Sequence, residues 1–216
     1  MLAKLIVAGT VGALIGGAVV AAAAPELNLK GGRFRPLTYA ELTPEQKAYA
    51  DKELAGGRNP SGGGPFNIYL RSPEYAQLSG PLSNYLRFKS PMPRKLKEIA
   101  TMLTARFWGG QYVWYSHRQQ ALDAGLSTAF IAAMAAGERP TNMTADEAIV
   151  YDFCTELLQT RQVSDTNFKA MVEKFGERGV VETVATMGHF HGLTMLFAVD
   201  RYPLPADAPD PIRKPM

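Results

Sequence analysis

Leu96, Ile99, Leu103 and Phe107 recur at spacings of three and four residues, which puts them on one face of a helix. Arg94, Lys95 and Lys97 keep the first turn in water. From Ala100 to Leu103 no strongly polar side is left, so the later turns are expected to be buried all round. Gly109-Gly110 ends this helix, and Gln111 to Ala124 reads as the next, closed by Gly125 at the position where φ turns positive. Helix-start signals recur along the chain. Thr43-Pro44-Glu45-Gln46 and Thr144-Ala145-Asp146-Glu147 are capping boxes, and the first opens a helix to about Ala55. Ser72 caps a helix with Pro73 in its first turn, continued from Pro81 to Phe88. Ser127 opens a short helix to Gly137, and Ser164 one that ends near Gly176. Val180 to Phe197 is the last long helix. The run from Gly56 to Pro65 is a loop, and Pro91 and Pro93 punctuate the chain before Arg94. No β-alternation and no internal repeat is present, so the fold class is all-α.

The first residues carry a different message. Lys4 precedes an apolar stretch over residues 5–20 and an alanine run over 21–24, the pattern of a secretory signal peptide. Cleavage after Ala23 would leave Ala24-Pro25-Glu26 as the new terminus, and an uncleaved membrane anchor is the alternative. The folded part is expected outside the cytoplasm, in the periplasm. The domain map is then a signal over 1–23, an arm and first helix over 24–63, one helical domain over 64–205 and a Pro-rich tail over 206–216. A hydrophobic content of 46% is enough for one packed core. The net charge of +3 is spread thinly, with no basic run interleaved with aromatics, so nucleic-acid binding has no footprint. Cys154 is the sole cysteine, which excludes an internal disulfide, and its helical surroundings read as those of an inert buried thiol. No Cys- or His-rich metal spacing is present, and neither metal nor cofactor is expected.

Ionisable groups on buried helix faces are costly unless paired, so they mark candidate sites. Glu98 lies between Leu96 and Ile99, and pairing with a basic neighbour at the rim is its other reading. His117 shares a face with Val113, Trp114 and Ala121. Two helices joined across Gly109-Gly110 pack antiparallel, which can bring this acid and this imidazole together. A buried carboxylate beside an imidazole favours the charged ring while burial opposes it, so such a pair can pass a proton near neutral pH. His189 and His191 in Gly188-His189-Phe190-His191-Gly192 point about 200° apart on a helix and cannot chelate one metal together. Trp108, Tyr112, Trp114 and Tyr115 surround the turn before His117. They read as core packing, and also as pocket walls for a flat substrate.

Taken in order, Gly64-Pro65-Phe66-Asn67, Ser72-Pro73-Glu74, Leu96-Lys97-Glu98-Ile99, Ala105-Arg106-Phe107-Trp108, Tyr112-Val113-Trp114-Tyr115-Ser116-His117, Ala121 to Leu126, Thr144 to Glu147 and Gly188-His189-Phe190 form a series. That series resembles the carboxymuconolactone decarboxylase family, which includes the alkyl hydroperoxidase D-like proteins, over about residues 60 to 205. The resemblance implies an all-helical subunit assembling into homotrimers or homohexamers. In the peroxidase branch of that family a glutamate, a Cys-x-x-Cys pair and a histidine form a proton relay. Counting back from His117, the glutamate falls on Glu98 and the cysteines fall on Gly110 and Val113. Thiol-dependent peroxide reduction therefore lacks its nucleophile and its resolving partner. The decarboxylase branch often carries a glutamate in a Tyr-Glu-Trp arrangement, where this chain has Val113.

The resulting expectation is a cofactor-independent lyase or isomerase acting on a small aromatic or lactone-type organic acid. His117 would move the proton and Glu98 would orient the imidazole. Trp108, Tyr112 and Trp114 would wall the pocket, and Arg106 would pair with a substrate carboxylate or, equally, make a structural ion pair; His189 and His191 are further candidates from the last helix, with a structural role expected for at least one of them. A non-catalytic periplasmic binding or assembly protein of the same family is the alternative.

Overall fold

A computed structural model describes residues 23–206, 208 and 212. All but residue 23 of the segment expected to be a signal peptide, and most of the tail, lie outside the described residues. Eight α-helices follow one another among those described: α1 Pro44–Ala55, α2 Phe66–Tyr69, α3 Pro73–Asn84, α4 Arg94–Phe107, α5 Gln111–Asp123, α6 Thr128–Ala136, α7 Ala145–Thr160 and α8 Asp165–Asp200, with no strand between them.

Four of the eight helix starts are where side-chain oxygens satisfy the first backbone N–H groups. Thr43 and Thr144 form complete capping boxes with Gln46 and Glu147, and Ser127 and Ser164 accept from Phe130 and Asn167. Ser72 departs from expectation: it precedes Pro73, but its side chain makes no capping bond. The chain runs helically through Pro81 and then widens into a π turn over Tyr85–Lys89, closed by Ser90 N–H donating to the Tyr85 carbonyl at 2.8 Å. Ser90 leaves in an extended conformation, as the residue before Pro91 must. The two expected C-terminal helices follow one another as the two limbs of α8, parted where Gly176 adopts a non-helical φ of 70° and ψ of 171°.

Helix α4 is the centre. Every side chain from Leu96 to Arg106 is buried, and α5, α7 and α8 pack around it. Burying each of its large apolar side chains contributes roughly 1.5–3 kcal/mol. Gly109, with φ 63°, turns the chain sharply, and Gly110 lets α5 begin directly against α8, because a Cβ there would overlap the Thr194 side chain. The N-terminal arm is tied down by buried Asp200, whose carboxylate accepts from Gly32 N–H at 3.2 Å and Phe34 N–H at 2.6 Å. At the other end Ile212 exchanges two hydrogen bonds with the Gln111 side chain, so the tail returns to the start of α5.

The contrast between glycines is testable. Gly110→Ala should destabilise the fold by about 1–3 kcal/mol through overpacking against Thr194. Gly188→Ala, at a helical position with open space, should stabilise it by about 0.5–1 kcal/mol. Urea unfolding of both variants measures the difference.

Candidate functional site

The hairpin of α4 and α5 brings Glu98 and His117 together. The Glu98 carboxylate lies 2.7 Å from His117 Nδ1, with both side chains buried. A carboxylate accepts only, so the imidazole donates from Nδ1 and Nε2 is the nitrogen left for a bound molecule. The Phe190 ring of α8 packs edge-on to the imidazole, centroids 4.6 Å apart, and fixes its plane.

His117 forms part of the wall of a cavity of about 340 Å³, within the size range of sites for small ligands. Glu98 stands behind the imidazole and does not line the cavity. Val113, Ser116, His117 and Gln120 present one face of α5 to it, and Phe190, Leu193 and Phe197 come from α8. The π turn contributes Arg87 and Phe88, and the Gly-rich loop contributes Arg58 and Gly64. Tyr112 also lines it, and lies within ring contact of Phe197 and Tyr202, with centroids 4.7 and 4.4 Å away. Burial raises the Tyr112 phenol above its ordinary value, so it is protonated at neutral pH. No carboxylate lines the cavity among the described residues, whereas two guanidinium groups do.

Other residues singled out in the sequence lie elsewhere. Arg106 is buried beneath α6 rather than in the cavity: its Nε donates to the Met134 carbonyl at 2.5 Å, and a side chain at Gly137 would overlap its guanidinium. A cation at that helix end adds a second bond to a carbonyl that also accepts from Gly137 N–H at 3.0 Å, and it meets the negative end of the helix dipole. Trp114, about 100° round α5 from Val113, is buried in the core and is not a lining residue. Trp108 sits at the surface end of the α4–α5 turn, where its indole N–H donates to His191 Nδ1 at 3.0 Å. His191 is thereby held away from the cavity. His189 points the other way and is buried next to Phe190, within electrostatic reach of Arg87 and His117 but outside the cavity lining. Arg58, Arg87, Ser116, Gln120 and Phe190 were not singled out in the sequence. The one local signal for Arg87 is a basic residue between Leu86 and Phe88 in a segment bounded by Pro81 and Pro91.

Cys154 is fully buried in α7, and burial pushes its thiol far above the ordinary range, so no thiolate nucleophile is present near neutral pH. Among the described residues no cluster of three or more His, Cys, Asp or Glu could hold a metal ion.

His189 provides a test of this burial. Desolvation, with Arg87 and His117 nearby, lowers its pKa from 6.5 to about 4. The unfolded chain then binds the proton more readily than the folded one. Stability should fall as pH drops from about 6.5 to about 4 and lose nothing more from this group below that. Urea unfolding at pH 7 and pH 4.5 should show a smaller acid-induced loss in His189→Leu than in the native chain.

No protein-family model matches the chain, and no curated protein matches it. Among solved structures the fold is similar to a protein of unknown function from Agrobacterium tumefaciens, described as a candidate antioxidant defence protein AhpD. The TM-score is 0.57 at 17% identity, over 65% of this chain and 97% of that one. At that identity the likeness is one of architecture. The chain has the all-helical alkyl hydroperoxidase D-like fold.

Proposed function

We propose that this protein is a cofactor-independent lyase or isomerase of the carboxymuconolactone decarboxylase type, acting by acid–base catalysis on a small aromatic or lactone-type organic acid. The observation that carries the reading is the Glu98–His117 pair, closed at 2.7 Å, with its imidazole on the wall of a cavity of about 340 Å³. Glu98 holds the ring in one tautomer and offsets the charge the ring acquires, while His117 Nε2 exchanges a proton with the substrate. In an isomerisation, Nε2 takes a proton from carbon next to a carbonyl and returns it at a second position. In a decarboxylation, the electron pair of the broken C–C bond stays on the substrate carbon, neutral carbon dioxide leaves, and the imidazolium delivers its proton to that carbon.

The lining fits an organic anion. Two guanidiniums face the space, no acid does so among the described residues, and Phe190, Phe197, Leu193 and Tyr112 offer apolar and aromatic contact to a ring. In this reading the enzyme works outside the cytoplasm as a homotrimer or homohexamer, as its first residues and the family resemblance imply.

Lactones and phenolic acids that raise the melting temperature are the compounds to test. In deuterium oxide the native protein should catalyse carbon–hydrogen exchange, or release carbon dioxide, from at least one of them. His117→Gln should lose that rate by about 10²–10⁴-fold with its helical circular dichroism intact. Turnover undiminished in His117→Gln would overturn the reading.

A further inference from the structure

The Arg87 segment is built differently from the rest of the chain. Residues 85–89 form a π turn, whose wider loop rotates the side chains that follow relative to a continuous α-helix. Two side chains flanking Arg87 are gripped by one carboxylate on α8. Tyr85 Oη donates to Glu182 Oε1 at 2.6 Å, and Ser90 Oγ donates to Glu182 Oε2. Arg178 Nε adds a bond to Oε1 at 2.8 Å, and Lys97, whose Nζ donates to the Ser90 carbonyl at 3.3 Å, lies within the electrostatic reach of Glu182. Glu182 is buried, yet these three hydrogen bonds outweigh its desolvation and hold its pKa below the usual range, so it stays ionised. With both ends of the turn fastened, Arg87 between them is directed into the cavity.

At the cavity end, Arg87 Nη2 donates to Gln120 Oε1 at 2.7 Å, and Gln120 Nε2 in turn donates to the Ser116 carbonyl at 2.8 Å. Gln120 follows His117 by three residues on α5, so the two side chains are neighbours one turn apart. Gln120 takes one of the five guanidinium N–H donors. Among the described residues no carboxylate lies within ion-pair distance of Arg87, and burial lowers its pKa against the opposing pull of Glu98. The cavity's other cation, Arg58, already lies 3.8 Å from Glu53 on an exposed loop.

Resting on the reading that the cavity takes a small organic acid, we infer that Arg87 is the specificity-determining residue that docks the acid's carboxylate one helical turn from His117, and that Glu182 is the positioning residue that sets Arg87 through the π turn. A bidentate pair to Arg87 fixes the carboxylate plane within the cavity that His117 also lines. An uncharged amide of the same shape offers the guanidinium one acceptor oxygen, no second acceptor for a bidentate pair and no opposite charge, so it binds less tightly.

The test titrates the full chain with benzoate and with benzamide, its neutral shape match, at constant ionic strength, followed by NMR. The native protein should bind benzoate roughly tenfold to a hundredfold more tightly than benzamide. Arg87→Gln should bring that ratio to about one, and Arg87→Lys should restore part of it. Glu182→Gln should weaken benzoate while leaving benzamide unchanged, a split that general loosening of the fold would not produce. A native ratio near one, an unchanged ratio in Arg87→Gln, or equal weakening of both ligands in Glu182→Gln overturns the inference. His117-dependent exchange in deuterium oxide is read separately, so catalysis can survive the loss of this docking role, and docking can survive the loss of catalysis.

Discussion

Helix α4 carries three charged side chains, Lys97, Glu98 and Arg106, into the interior, and the protein is organised around the need to compensate them. An unpaired charge in such a place costs several kcal/mol. Each is met by a different element. The Ser90 carbonyl beyond the π turn accepts from Lys97, His117 of α5 meets Glu98, and the Met134 carbonyl at the end of α6 accepts from Arg106. These three bonds set where the neighbouring elements pack. Two of them hold the walls of the cavity, since both the π turn and α5 line it.

The division of labour on α5 and α8 follows from helix geometry. Residues 113, 116, 117 and 120 share the face turned to the cavity, so hydroxyl, imidazole and amide stand together without any loop having to place them. On α8 the two histidines straddle Phe190. One enters the core with Nε2 unpartnered, the other meets Trp108 at the surface, and the phenyl ring between them braces the imidazole of α5. A site mounted on three packed helices is held more rigidly than one carried on loops.

The parts legible in the sequence were those governed by short-range rules. Capping boxes at Thr43 and Thr144, the caps at Ser127 and Ser164, the break at Gly176 and the all-round burial of α4 depend on residues within a turn or two of each other. The meeting of Glu98 and His117 was legible because one tight turn joins their helices. Arg87 was not, because its placement depends on Glu182 gripping a residue 97 positions earlier, and a π turn has no periodic signature. Arg106 and Trp108 show the same limit from the other side. Their residue types suit a ligand, but a carbonyl 28 residues away and a histidine 83 residues away claim them.

Cys154 has a practical meaning for following this molecule in solution. The lone thiol is buried on α7, with no exposed surface. A thiol-specific reagent can reach it only when the core itself comes apart. The rate of its labelling under native conditions therefore reports large-scale opening of the helical scaffold rather than local fraying. The chain carries a built-in gauge of its own opening, in a wild-type residue that needs no engineering.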